Sequence, residues 1–216
     1  REASRLESLK NITERYDGYG NSIRRVMEQK NREPGIKGVV ADIIHVQKDY
    51  EVAIETALGG SIQNIVTDNE QTAKRMIGFL KKNRFGRATF LPLSNISGRG
   101  GLNQRDVLSE PGVVGTANTL VNADKEYSEL VMYLLGRVLV VDNIDHAIAI
   151  GKKYRHSLRM VTIEGESLSP GGSMTGGAFK NNSNLLGRRR EIEELERSVG
   201  ILRKELEETQ KSIGEN

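Results

Sequence analysis

Gly165-Glu-Ser-Leu-Ser-Pro-Gly171-Gly172-Ser-Met-Thr-Gly176-Gly177 is the stretch of this sequence with the strongest claim to a binding role. Glycine-rich turns between a strand and a helix can cradle phosphate through their backbone N–H groups. The spacing does not support that chemistry. No G-x-x-x-x-G-K-[ST] occurs, and the run carries no lysine at the phosphate-loop position. Nor does a G-x-G-x-x-G open a helix after a strand with an acidic residue about twenty positions on. The steric reading remains: glycine lets backbone approach closer than any side chain would, within a turn or across an interface. Other chemistry is equally unsupported. Ser173 does not sit in a G-x-S-x-G frame, and there is no cysteine nucleophile. His45, His146 and His156 are scattered and lack the i, i+4 pairing of a helical metal site. An enzyme is not expected from this chain by itself, and no cofactor or metal is expected either.

Three cation clusters are the other candidates. Lys81, Lys82, Arg84 and Arg87 fall at a helix end and the following strand start. Lys152, Lys153, Arg155, His156 and Arg159 fall at a second such place, and Arg188, Arg189 and Arg190 where the chain leaves its central region. Cations in the last turn of a helix are favoured by the helix dipole alone. Clustered Lys and Arg also supply the sequence-independent, salt-dependent part of DNA affinity. Weak, non-specific DNA contact is therefore expected at Lys81, Lys82, Arg84, Arg87, Lys152, Lys153, Arg188, Arg189 and Arg190.

The elements that must position these groups are short. Pro34-Gly35 stops a first helix, and Gly38 to Val46 reads as a strand. Lys48 to Leu58 reads as a helix closed by Gly59-Gly60, and Ile62 to Thr67 as a buried strand. Asp68-Asn69 caps a helix with Ala73, Met76, Ile77 and Leu80 inward, and Arg87 to Leu91 is a strand. The Gly-, Ser-, Asn- and Pro-rich stretch 92–118 is a crossover. A helix from Glu126 to Leu135, a strand from Arg137 to Val141, a helix capped by Asp142-Asn143 and a strand from Leu158 to Ile163 follow. Leu58-Gly59 to Asp68-Asn69 and Ala73 resembles Leu135-Gly136 to Asp142-Asn143 and Ala147, with identical spacing from Asp-Asn to Ala. Two related half-domains are expected.

At the ends the periodicity changes. Leu9, Ile12, Tyr16, Tyr19, Ile23 and Val26 recur at alternating spacings of three and four, as do Ile192, Leu195, Val199, Leu202, Leu206 and, after Thr209, Ile213. Apolar stripes of this period mark coiled coils, and each alone is a marginal helix. Pairing the two antiparallel resolves both. The fold expected is mixed α/β: two half-domains of helices and short mixed sheets on an antiparallel coiled-coil stem made from both termini. The divisions are a coiled-coil arm 1–33, half-domain one 34–91, crossover 92–118, half-domain two 119–185 and a returning arm 186–216. Both ends fall mid-pattern, so a middle piece of a longer molecule is expected.

Composition bounds the rest. The net charge of +3 is a small excess in a chain with 32 basic and 29 acidic residues. DNA contact must come from local clusters and not a global field. With no cysteine, a disulfide framework is excluded, and the apolar runs are far shorter than a bilayer requires. A soluble intracellular protein without membrane contact is expected.

A globular insert between two antiparallel arms resembles the hinge of the structural-maintenance-of-chromosomes (SMC) proteins, in its bacterial form. The similar residues are Gly38-Val-Val-Ala-Asp42-Ile, Ala57-Leu-Gly-Gly60, Gln63-Asn-Ile-Val66, Gly86-Arg-Ala-Thr-Phe-Leu-Pro-Leu93, Leu134-Leu-Gly-Arg-Val-Leu-Val-Val-Asp142-Asn and Ser169-Pro-Gly-Gly-Ser-Met-Thr-Gly-Gly177. The last is the most specific, and the resemblance covers the whole chain. It implies a homodimer in which sheet edges meet across contacts lined by Gly171, Gly172, Gly176 and Gly177, with Gly59 and Gly60 as further candidates. It also implies a parent chromosome condensation and segregation ATPase. Its heads, bridged by a kleisin subunit, lie at the far ends of the coils, and the molecule is cytoplasmic and nucleoid-associated. The reading from residues alone leaves a monomeric DNA-binding or small-ligand-binding α/β insert as the alternative.

Overall fold

The computed structural model describes residues 1–4, 19–98, 100–178 and 185–214. Leu9, Ile12 and Tyr16 of the first seam lie outside the described residues. The chain runs α1 (Asn21–Met27), β1 (Ile36–Val39), α2 (Val40–Ile43), β2 (His45–Val46), α3 (Glu51–Leu58), β3 (Ile65–Thr67), α4 (Glu70–Asn83) and β4 (Phe90–Pro92). It continues β5 (Val113–Thr116), β6 (Val121–Asn122), α5 (Ser128–Leu135), β7 (Val138–Val141), α6 (Ile144–Lys153), β8 (Arg159–Thr162), β9 (Ser167–Leu168), β10 (Met174–Thr175) and α7 (Leu185–Gly214).

The strands form three sheets, ordered β1-β3-β4, β10-β9-β8-β7-β5 and β2-β6. In each larger sheet an antiparallel pair (β1 with β3, β5 with β7) is extended by a parallel one (β3 with β4, β7 with β8), with a helix between the parallel strands. A parallel pair is covered on both faces and so reads as an unbroken apolar run. Val138-Leu139-Val140-Val141 is one, and its side chains alternate as a strand requires. Val138 and Val140 enter the main core, while Leu139 and Val141 enter a second core under α6 with Ala147, Ile150 and Met160.

The duplication runs deeper than the two Asp-Asn caps. Glu33-Pro34-Gly35 leads into β1, and Glu110-Pro111-Gly112 leads into β5, 77 positions later (35 to 112). Both strands carry a register irregularity before a second glycine, Gly38 or Gly115. The turns Lys48-Asp49-Tyr50 and Lys125-Glu126-Tyr127 hold the same offset, and each precedes an eight-residue helix. In the β2–β6 ladder His45 faces Asn122, its own counterpart at that offset. An antiparallel pair of equivalent residues is what a local two-fold axis between the halves produces.

Each half is locked in the same way. Asn69 accepts the Thr72 N–H at 3.0 Å and Asn143 accepts the His146 N–H at 2.9 Å, capping α4 and α6. Asp68 accepts the Thr72 hydroxyl at 2.6 Å, a bond that holds its carboxyl below the usual range. Asp142 meets His146 Nδ1 at 2.7 Å. The N–H of each Asp is donated to the glycine carbonyl of the Glu-Pro-Gly turn, at 2.9 Å for Gly35 and 2.8 Å for Gly112.

Two expectations need correction. The strand from Gly38 to Val46 is broken by α2, which lets the backbone turn so that Val40, Ala41 and Ile43 are all buried. Ile77 is 52% exposed and lies outside the inward stripe of Ala73, Met76 and Leu80. The 165–177 run, expected to serve a turn or an interface, also contains two short strands, β9 and β10.

Gly112 tests the lock. It has φ +87°, and a Cβ there would lie 2.4 Å from His146 Nδ1 and 2.5 Å from Asp142 Oδ1. We expect Gly112→Ala to cost about 2 kcal/mol, from backbone strain plus displacement of the cap. Urea unfolding measures it.

Candidate dimer interface and stem junction

Four of the singled-out glycines come together on one hairpin. β9 and β10 fold the end of the second sheet back on itself, with Met174 opposite Leu168 and Thr175 opposite Ser167. Gly171 and Gly172 precede β10 and Gly176 and Gly177 follow it, all exposed. The turn is tied down by Gly171 N–H to the His156 carbonyl (2.8 Å) and Gly172 N–H to the Ser169 carbonyl (3.0 Å). Gly171 and Gly172 take φ +95° and +104°, which a side chain would resist. Nothing lies within 4 Å of a Cβ on Gly171 or Gly177. Gly59 and Gly60 sit on another element, the exposed turn after α3 in the first half.

The strand edges there are open. Among the described residues β10 has β9 as its only strand neighbour and β4 has only β3, so each has one side without a strand beside it, as do β1 and β5 at the other ends of the two sheets. Met174 on β10 is 51% exposed. Behind it a cavity of about 190 Å³ is lined by Ile148, His156, Met160, Leu168, Gly172 and Met174 among others.

The cation clusters are not alike. Lys81 and Lys82 lie in the last turn of α4, Arg84 adopts the left-handed conformation at its C-cap, and Arg87 follows, all exposed. Lys152 is exposed, but Lys153 is bound to Glu110 at 2.5 Å, an ion pair that lowers the Glu110 carboxyl. In the third cluster Arg189 lies 3.7 Å from Glu193, and Arg190 is bound by Glu51 and by Glu194 at 3.0 Å. The charge of Arg190 is therefore answered within the fold by two carboxylates.

That third cluster marks a junction the sequence did not reveal. The N-terminal part of α7 lies on α2, β2 and α3, all in the first half, although α7 follows the second half in the chain. Leu185, Leu186 and Ile192 are buried there. Glu55 accepts the Leu185 N–H at 2.7 Å, Glu51 pairs with Arg190, and His45 Nδ1 meets Glu193 at 3.0 Å. The α1 helix reaches the same half: the Ser22 hydroxyl donates to the Arg87 carbonyl at 2.6 Å, and the Arg25 guanidinium stacks 4.7 Å from the Phe85 ring centre. Beyond Val199, α7 exposes Leu202 (52%), Leu206 (58%) and Ile213 (70%). The signal available in sequence was Glu51 and Glu55 one turn apart on the otherwise apolar Glu-Val-Ala-Ile-Glu-Thr-Ala-Leu.

A duplicated α/β module with open sheet edges and helices returning to one of its halves is the architecture of an assembly domain. The chain belongs to the SMC hinge family: the model of the SMC proteins flexible hinge domain matches residues 33–151. The chromosome partition protein Smc of Lactiplantibacillus plantarum is 40% identical over 209 residues, 95% of this chain. That of Bacillus subtilis is 40% identical over 221 residues, 97% of this chain. The chain spans 18% of the length of each. The Geobacillus stearothermophilus SMC hinge domain, an asymmetric dimer, superimposes with a TM-score of 0.88 at 36% identity, covering 99% of this chain and 86% of that one. The Pyrococcus furiosus hinge with an extended coiled coil gives 0.63 at 29%, covering 99% and 79%. The matched unit is the hinge and not the ATPase head, so this segment is not the catalytic part.

Truncating Arg190 tests the junction. Removing one partner of a buried ion pair leaves the other charge unpaired. We expect Arg190→Ala to destabilise by about 3 kcal/mol, with much of that recovered by adding Glu51→Gln. Thermal unfolding of the two variants checks both.

Proposed function

We propose that this chain is the homodimerisation hinge of an SMC chromosome condensation and segregation protein. The observation that carries the reading is the unpaired edge strand β10, bracketed by four exposed glycines. An open edge is a template for another strand, and glycine lets two backbones close to hydrogen-bonding distance. Contact between half-domain two of one copy and half-domain one of the other, through β10 and β4, occurs twice about a two-fold axis and closes a ring. Gly171, Gly172, Gly176 and Gly177 line that contact, with Gly59 and Gly60 at its margin. Residues 34–91 and 119–185 are the two halves, linked by 92–118, with β5 of that link joined to the second half. The arms 1–33 and 186–216 form an antiparallel coiled-coil stem, and the exposed Leu202, Leu206 and Ile213 continue its seam.

The relatives being far longer, the parent chain carries ATPase heads at the far ends of the coils, bridged by a kleisin, and works at the nucleoid. Non-specific DNA contact is secondary. Lys81, Lys82, Arg84 and Arg87 are its best carriers, because among the described residues none of them is paired with a carboxylate, whereas Lys153 and Arg190 are.

Gly171→Glu with Gly172→Glu is expected to give a folded monomer. Circular dichroism and sedimentation check the two halves of that statement, and a double variant that stays dimeric places the interface elsewhere. Replacing Lys81, Lys82, Arg84 and Arg87 with Glu is expected to lower DNA affinity and flatten its salt dependence without changing assembly. Unchanged binding at low salt retires that patch.

A further inference from the structure

Glu55 is a carboxyl held under the first turn of a helix it does not belong to. It is 8% exposed. One oxygen accepts the Leu185 N–H at 2.7 Å, and the other, Oε2, is buried with no hydrogen-bond partner. A second buried carboxylate, Glu51, lies one turn away on the same helix, and its charge is answered by Arg190. Among the described residues no cation is bonded to Glu55, and Arg188 acts on it through its charge.

Among the described residues, the charged groups on the elements around it include, from α7, Arg188, Arg189, Arg190 and Glu193; from α2, Asp42, which faces Arg189, Lys30 and His45; from β2, His45, which meets Glu193. The turn ahead of α3 offers exposed Lys48 and Asp49. On β8, Arg159 donates to the Ala57 carbonyl, and on α5, Glu129 accepts from the Gly98 N–H.

We propose that Glu55 is a proton-operated latch on the stem: the neutral carboxyl holds α7 down on the first half, and the ionised carboxylate loosens it. The physical reason is hydration. A carboxylate with one oxygen dry and a like charge one turn away is stabilised by release into water, which lifting α7 supplies. Burial, aided by Glu51 and opposed by the N–H groups of Leu185 and Leu186 and by Arg188, pushes the carboxyl up from 4.5 to about 7. A raised folded-state value means the stabilisation is complete below about 4.5 and is lost as pH rises through about 7. The docked-to-lifted ratio then falls about tenfold between pH 6 and 8, within a total linkage of about 300-fold. The latch lies within one copy and does not rest on dimerisation.

Amide exchange of Leu185 to Gly187 in the full chain tests it, read as protection factors corrected for the intrinsic pH dependence of exchange. The expected result is a loss of about tenfold between pH 6 and 8 in the wild type and a flat profile in Glu55→Gln, which keeps the carbonyl acceptor without the charge. Flat wild-type protection, or an equal slope in Glu55→Gln, overturns the proposal, the latter by moving the titration to His45 or Asp42. Carbon NMR of the Glu55 carboxyl in the unmodified chain reads the same claim without a variant. A midpoint near 7 supports the latch, and one in the ordinary carboxylate range refutes it.

Discussion

A β-sheet edge exposes a row of N–H and C=O groups that water satisfies only until another strand arrives. In this chain both larger sheets are open, with edge strands β1 and β4 in one half and β5 and β10 in the other, and β4 and β10 are the pair assigned to the contact. The Glu-Pro-Gly turns and Asp-Asn caps fix the helices that back the sheets, and the β2–β6 ladder joins the halves through equivalent residues. The glycines around β10 leave both of its flanks exposed and without side chains. Inequality between the halves lies at the stem, since both α1 and the start of α7 are fastened to the first half.

Much of the fold was legible in sequence where its cause is local. Asn69 and Asn143 were readable as caps because capping depends on the next three residues, and both accept the predicted N–H. Val138 to Val141 was readable as a buried strand because a pair covered on both faces leaves no polar position. Local signals failed where tertiary packing decides. Val39 and Val40 have the same strand propensity, yet the first ends β1 and the second begins α2, because the chain must turn there to bury Ile43. Ile77 belongs to the helical stripe by spacing, but nothing covers its side of α4.

The candidate site divides in the same way. The glycine run was visible as unusual, but the β9–β10 hairpin inside it was not, since strands of two residues carry no periodicity. The Arg188-Arg189-Arg190 cluster reads in sequence as a candidate DNA contact. Its real surroundings, Glu51 from a helix about 140 positions earlier (51 to 190) among them, come together only when the chain folds back. Acidic residues on an apolar helix are the trace that such a partner leaves, and Glu51 and Glu55 left it.

The central claim is that open edges of two copies meet. Sedimentation equilibrium of this 24.0 kDa chain over a wide concentration range tests it most directly. The account predicts a species of twice that mass persisting on dilution. A mass of 24.0 kDa at every concentration would contradict it and leave the edges to some other partner.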